Sequence, residues 1–239
     1  MGFRIEILPF LAIAVIVGVL VTILLGVGMG MQWSQAIAIG LLVSAVPEAY
    51  FFWFFRNPDR TPPTDPDVIV AAADGVIAKI ATFSPAEFSS ISMLAGLKEE
   101  DVAAFVDRDV LRISIFLSLF DVHVNRAPIG GTSQFLGYFP GKHLFTFDEK
   151  SSDVNQHNSI LIENGRTSCL VNQIVGPVCR RVVYWLDHDG PVEVAMGDDF
   201  GMMKFGSRLD MYFPAEDIEL LVSEGDRARA GESIIGTYR

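Results

Sequence analysis

A glycine-serine pair, Gly206-Ser207, stands between Lys204 and Arg208 inside the apolar stretch MMKFGSRLDMYFP. A serine hydroxyl becomes a nucleophile when a base takes its proton, and a histidine oriented by a carboxylate is the usual base. Four histidines are available. His188 sits in a hairpin-like Asp-His-Asp-Gly turn and reads as solvent-exposed, while His143 and His157 lie in polar, loop-like segments that say little. His123 differs, because it follows the apolar run ISIFLSLF and precedes NRAP, where a strand ends. On its own such a histidine is more often structural than catalytic. Asp74, in ADGVIAKI, offers a carboxylate, yet an Asp-Gly between two apolar runs reads first as a type I′ hairpin turn. No pair of histidines has zinc-ligand spacing, so no metal is expected. Cys169 and Cys179 form neither a metal nor a redox spacing and read as ordinary buried residues. No G-x-S-x-G elbow surrounds Ser207 and no phosphate-cradling glycine loop occurs, which disfavours an α/β hydrolase and a nucleotide site.

The elements that must position these residues are mostly strands. From residue 61 onward, short apolar runs (DVIVAAADGVIAKIATF, VLRISIFLS, HNSILIENG, RRVVYWL, GPVEVAM, RLDMYFP, IELLVSEGD) alternate with Gly, Asn and Asp punctuation. Ser207 falls at a break between two strands, since Leu209, Met211 and Phe213 alternate and the residues before Gly206 do not continue that pattern. The one helix candidate is LKEEDVAAFV, residues 97–106, inside an insertion spanning about 84–107. The tail SEGDRARAGESIIG reads as a turn between strands with corners at Gly225-Asp226 and Gly231.

Ahead of this domain lie 41 residues without a formal charge, between Glu6 and Glu48. A single span needs about 20 apolar residues, so two passes fit: about 7–29, and from about Ala36 into AYFFWFF, with GMGMQWSQ as the turn. A cleaved signal peptide would have an apolar region of about 7–15 residues, which this is not. Arg4 precedes the first segment and Arg56 and Arg60 follow the second, which places both ends, and the domain, on the cytoplasmic side of the cell (inner) membrane. Glu48 makes the second segment the less secure span. The division is thus 1–60 as a hydrophobic hairpin and 61–239 as the functional domain, joined by the stiff TPPTDP. Residues 1–60 balance three arginines against three carboxylates, so the net charge of −11 belongs to the domain. An acidic domain disfavours nucleic acid as a partner, and the apolar hairpin rather than a basic patch must hold it at a bilayer.

Taken together, FFRNPDRTPP, ADGVIAKI, ISIFLSLFDVHVNRAPIGG, YFPGKHLFTFDEKSSDVNQHNSILIENG, VNQIVGPVCRRVVYW and GMMKFGSRLDMYFP resemble, block for block and in order, the short-form phosphatidylserine decarboxylase proenzymes. The resemblance runs from about residue 50 to the C-terminus. It implies a mostly β, β-rich α+β domain, barrel-sandwich-like, behind a hydrophobic helical hairpin. It also implies a lyase that cuts itself at Gly206-Ser207 into a β chain, 1–206, and an α chain, 207–239. Ser207 would become a covalent pyruvoyl cofactor that forms a Schiff base with membrane phosphatidylserine and yields phosphatidylethanolamine. Carried over residue by residue, Ser207, Asp74 and His123 are the catalytic candidates. His123 fits less closely, because longer forms show two histidines three apart and Arg126 stands at the second position here. Two further departures are NQHN at 155–158 and the insertion, and homo-oligomerisation is left open.

Two rival readings belong to other classes. EGDRARAGESIIG also looks like the closing strands of a biotinyl or lipoyl carrier, which would make the chain a membrane-tethered carrier or adaptor with Lys204 in MMKF as its modifiable lysine. A pyruvoyl enzyme acting on a soluble amino acid is the other, and the hydrophobic hairpin opposes it.

Overall fold

The computed structural model describes residues 2–91, 94, 96–177, 182–205 and 207–239. The chain divides into two compact units, Met1–Asp59 and Arg60–Arg239.

In the first unit, helix α1 (Leu8–Ile23) runs into a wider turn, Leu24–Gly28, and helix α2 (Trp33–Phe54) returns alongside it. The stretches Ile5–Gly28 and Trp33–Phe54 are long and apolar enough to cross a membrane. The loop between them is shorter than the expected GMGMQWSQ, because Trp33, Ser34 and Gln35 already belong to α2. Gly18 and Gly40 let the two backbones touch: a Cβ on Gly18 would lie 2.6 Å from the Gly40 carbonyl oxygen. Small residues at a crossing are how apolar helices associate where there is no water to expel. Large apolar side chains such as Ile13, Leu20, Leu41 and Leu42 point outward and are exposed. Glu48 accepts a hydrogen bond from Ser44 Oγ at 2.6 Å, one turn back on its own helix, which partly offsets the cost of a carboxylate in an apolar segment. Two short strands, β1 (Gly2–Phe3) and β2 (Arg56–Asn57), pair antiparallel at the base of the helices.

The second unit is strand-rich. Its strands are β3 (Val68–Val70), β4 (Gly75–Phe83), β5 (Val110–Leu117), β6 (Val124–Arg126), β7 (Gly131–Phe139), β8 (His157–Glu163), β9 (Ser168–Val175), β10 (Val182–Tyr184), β11 (Val192–Val194), β12 (Asp199–Met203), β13 (Ser207–Pro214), β14 (Ile218–Leu220), β15 (Arg227–Ala228) and β16 (Ile234–Tyr238). One large sheet has the order β11-β7-β8-β9-β13-β5-β4-β15, and two three-stranded sheets have the orders β10-β12-β6 and β14-β16-β3. Among the described residues the sheets stack as layers and do not close into a barrel. β13 lies in the interior of the large sheet, antiparallel to β5 on one side and β9 on the other. Its alternation is the one read from the sequence: Leu209, Met211 and Phe213 enter the main apolar core with Ile113 and Ile115 of β5 and with Phe200 and Met203 of β12. Gly225 and Gly231, the expected corners of the tail, take φ of 96° and 74°.

Three expectations change. Asp74-Gly75 is not a hairpin turn, because β3 pairs with β16 while β4 pairs with β5 and β15; the dipeptide carries the chain from one sheet to another. The helix expected at 97–106 is not an α-helix. Helix α3 (Pro85–Ser89) is started by a Ser84–Glu87 capping box, and Glu99–Phe105 forms a 3₁₀ turn in place of an α-helix. Val102 and Phe105, three apart, suit that tighter period, and Phe88 and Phe105 pack with Tyr212, Leu161 and Leu170 on the second face of the large sheet. His188 is exposed as expected, but its neighbours β10 and β11 sit in different sheets and form no hairpin.

Gly75 has φ of 151°, and a Cβ there would stand 2.1 Å from the carbonyl oxygen of Phe116. Gly75→Ala should therefore destabilise the domain by more than about 2 kcal/mol, a fall in Tm of about 5 °C or more on calorimetry. An unchanged Tm would mean the sheet-to-sheet crossing tolerates a side chain.

Candidate active site

Ser207 is the first residue of β13 and is fully buried. Its ladder partners are Leu117 at the end of β5 and Val175 at the end of β9, so two strands fix its backbone. By the period of two it shares a face with Leu209, the face turned to the β10-β12-β6 sheet. Its Oγ has no hydrogen-bond partner among the described residues. Such an orphan is costly and uncommon, and a hydroxyl left unbonded is one kept available for reaction. Gly206, the other half of the expected cleavage site, lies outside the described residues, as does Cys179; Cys169 is buried in the main core. Phe205 has φ of 55°, a left-handed conformation that costs a bulky side chain roughly 1–2 kcal/mol. Backbone strain therefore sits one residue from the Gly-Ser bond.

His123 stands one residue ahead of β6 in the smaller sheet. The Met203 amide donates to the His123 carbonyl at 3.1 Å, which extends the β12-β6 ladder by one residue beyond Val124. His123 and Asn125 are two apart and share a face. Asn125 Oδ1 accepts from Gln173 Nε2 at 2.8 Å, and Gln173 pairs with Leu209 in the large sheet, so this bond aligns the two layers. One step along the strand, His123 is carried toward the Ser207 end. The imidazole is fully buried, and its Nδ1 lies 3.0 Å from the Asp121 carbonyl oxygen. A carbonyl only accepts, so Nδ1 carries a proton; in the neutral ring the lone pair then sits on Nε2, the tautomer a general base requires. Asp121 is itself fixed: Ser118 donates to Oδ2 through its amide (2.8 Å) and hydroxyl (2.6 Å), and Arg227 to Oδ1 at 3.1 Å.

Asp74 is placed close to this group but bonded elsewhere. Its Oδ2 accepts from Arg60 Nη2 and its Oδ1 from the Ala230 amide, both at 2.8 Å. Among the described residues no hydrogen bond joins Asp74 to His123, the two residues that the family resemblance brings together; His123 Nδ1 is bonded to the backbone carbonyl of Asp121. Burial pushes the Asp74 carboxyl above the usual carboxylate range, Arg60 and the Ala230 amide pull it back, and the nearby Asp121 charge raises it again. Asp74 thus adjoins the histidine-bearing loop electrostatically.

Several site residues were not legible in the sequence. Arg208, 1% exposed, points to the opposite face of β13, where Asp210 Oδ1 (2.9 Å), Ser114 Oγ (2.8 Å) and Glu149 accept from its guanidinium; Arg112 also pairs with Glu149. This ionic cluster, buried at Arg208, Asp210 and Arg112 and open to solvent at Glu149, anchors the strand that Ser207 begins. Asp210 inside an otherwise apolar run was its only signal. Asn155 pins the end of β9 by donating to the Val175 carbonyl at 2.9 Å. His157, read as a loop residue, is buried at the start of β8 and stacks on Phe139 at 5.1 Å. Lys204 is only 8% exposed, so it is no exposed hairpin-tip lysine, which overturns the carrier reading. Among the described residues no cluster of metal-ligating side chains occurs.

Fold and site together define a strand-rich enzyme domain carried behind two apolar helices, with a buried serine at the start of an interior strand. The sequence matches the family model of phosphatidylserine decarboxylase over residues 48–236. It is 40% identical over 195 residues to the phosphatidylserine decarboxylase proenzyme of Chlorobium phaeobacteroides, covering 82% of each chain. It is 37% identical to that of Carboxydothermus hydrogenoformans (84% of this chain, 85% of the relative) and 34% identical to that of Geotalea uraniireducens (95% and 92%). The chain belongs to the phosphatidylserine decarboxylase family.

The Arg60–Asp74 pair is buried, with side chains 8% and 12% exposed. Arg60→Met should cost about 3 kcal/mol at neutral pH by stranding a buried carboxylate. Asp74, raised by burial, contributes fully below its unfolded pKa and loses that contribution as pH rises through its folded pKa, while Glu232, lowered by Arg60, does the reverse; Arg60 pulls both carboxyls down, so its removal lifts both and the variant gains on the parent as they protonate. The Tm gap between variant and parent should therefore narrow as pH falls from 7 toward 4. A gap independent of pH would contradict this account of the pair.

Proposed function

We propose that this chain decarboxylates phosphatidylserine to phosphatidylethanolamine after cutting itself at Gly206-Ser207. The observation that carries the reading is the buried, unbonded Ser207 hydroxyl at the head of an interior strand. His123 Nε2 takes the Ser207 proton as Oγ attacks the preceding carbonyl. The Oγ–C bond forms, the C–N bond breaks, and the freed nitrogen takes a proton, so an amide becomes an ester. Loss of the Ser207 Cα proton then expels residues 1–206 as a carboxylate. The enamine left at position 207 exchanges its nitrogen for water oxygen, releasing ammonia and leaving a pyruvoyl group on residues 207–239.

That group, when formed, supplies an electron sink for the carbon-carbon bond that breaks as carbon dioxide leaves. The chain's own residues do the rest. β5 and β9 hold position 207 at a fixed depth, and the layered sheets exclude water from it. In the neutral ring, the Asp121 carbonyl holds the proton on Nδ1 and leaves the lone pair of His123 on Nε2. Asp74 sets the electrostatics of the loop that bears it. The two apolar helices tether the domain to the bilayer in which a two-chain lipid resides, and Arg4, Arg56 and Arg60 favour a cytoplasmic domain on the inner membrane.

Ser207→Ala should remain one full-length chain on a denaturing gel and release no carbon dioxide from phosphatidylserine; cleavage at the same bond would refute the serine mechanism. His123→Ala should slow self-cleavage by about 10²–10⁴-fold, the usual worth of a general base. Wild-type rates of both cleavage and decarboxylation in that variant would make His123 a structural residue.

A further inference from the structure

Ser207 lies at one edge of the large sheet, and the register shows which strands end there with it. Its partners are Leu117, the last residue of β5, and Val175, the last of β9; across β8 the same edge continues to His157 and to Phe139, the last residue of β7. Two loops leave from this edge. Residues 118–123 follow Leu117 directly, and Leu119 and Phe120 within them are exposed. Residues 140–156 join β7 to β8 and are tied to the edge at Val175, whose amide donates to the Gln156 carbonyl at 3.1 Å and whose carbonyl accepts from Asn155 Nδ2 at 2.9 Å. Asn155 also braces the loop from inside, accepting from the Leu144 amide at 2.9 Å and donating to the Leu144 carbonyl at 2.7 Å. Held in this way, the loop presents Phe145 and Phe147 stacked on each other at 5.2 Å, yet 58% and 72% exposed. Among the described residues of the second unit, the other exposed aromatic rings are Phe120 and Tyr138, and both belong to the same edge. Single apolar side chains are ordinary on a surface, but a concentration of rings at the edge that carries the reacting serine marks a contact surface.

We propose that this edge of the domain docks on the lipid bilayer, with Phe145 and Phe147 as one insertion point and Leu119 and Phe120 as the other, an inference that rests on the substrate reading above. The chemistry of the substrate selects the partner. Its reacting amine lies in the headgroup layer and its two acyl chains stay in the hydrocarbon, whereas Ser207 is fully buried in the domain. A domain held by a tether alone would have to draw the whole lipid through water. An edge seated in the interface takes the headgroup without that cost. The two apolar helices keep a bilayer within reach but do not decide which side of the domain meets it. Charge agrees with the choice: in a domain of net negative charge, exposed Lys142 and Lys150 stand on either side of the phenylalanine pair, placed for anionic headgroups. Of the carboxylates between them, Asp148 accepts from the Lys150 amide at 3.1 Å and Glu149 is drawn back to Arg112 and Arg208. Through Glu149 the docking loop is joined to the strand that Ser207 begins.

The test uses the full chain reconstituted in phosphatidylcholine vesicles that contain phosphatidylserine. Phe147→Trp and Phe120→Trp each add one indole, read as the difference from the emission of the parent, and lipids brominated on their acyl chains should quench that added emission in both variants. Phe145→Ser combined with Phe147→Ser should slow decarboxylation of vesicle phosphatidylserine by about tenfold or more, as two rings lose their burial, with parent-like self-cleavage and a parent-like rate on a water-soluble, short-chain phosphatidylserine. Added emission that bromine does not quench overturns the proposal; if it is blue-shifted all the same and varies with protein density, the edge packs against a second copy of the chain. Quenching at 147 but not at 120 overturns the two-point seat. An equal loss on vesicle and soluble substrate also overturns it, because the rings would then support the site and not its contact with lipid. A parent that decarboxylates neither substrate would refute the substrate reading, and the quenching would still decide the docking.

Discussion

The passage of the chain from the β10-β12-β6 sheet into the large sheet at residues 204–207 is the constraint on which the rest of this structure depends. β12 ends at Met203 and β13 begins at Ser207, so three residues carry the backbone between layers, and Phe205 adopts a left-handed conformation to do it. Both flanking strands are fully engaged, β12 between β10 and β6 and β13 between β5 and β9. Neither end can relax without breaking a ladder. Strain at the crossing is therefore held in place by hydrogen bonds on four sides, and the residue delivered to the far end of it is the serine.

What holds β13 there is unusual in kind. One face is an ordinary apolar core of Leu209, Met211 and Phe213. The other buries Arg208 and Asp210 at 1% and 0% exposure, with Arg112, Ser114 and Glu149 completing the set. A buried ionic cluster contributes little net stability compared with apolar packing, but removing one partner is severe, so it specifies a single register. A one-residue slip of β13 would put Ser207 among the ion pairs and Arg208 in the core. Register and reactivity are thus enforced by the same residues.

Much of this was legible in the sequence, for definite reasons. The two apolar helices stand out because 41 uncharged residues have no soluble equivalent, and β13 because its period of two is clean. Ser207, His123 and Asp74 could be named from the resemblance of whole blocks, and all three are buried in the second unit. Other features were hidden by physics. β9, SCLVNQIV, is buried on both faces and so shows no alternation, and it went unread although it flanks the serine. Asp74-Gly75 has hairpin chemistry but spans two sheets, a tertiary choice that local propensity does not encode. Arg112, Glu149, Asn125 and Gln173 meet only through long-range strand pairing, so no local pattern announces them. The partner that orients His123 is a backbone carbonyl, which no side-chain motif can reveal.

The most direct test of the central claim is an intact-mass spectrum of the purified, detergent-solubilised protein. Cleavage between positions 206 and 207 predicts two chains of 206 and 33 residues, since 239 − 206 = 33, with the smaller lighter than its serine-started form by one ammonia. A single chain of 239 residues that stays uncut on prolonged incubation would contradict the account, leaving the buried serine without the chemistry assigned to it.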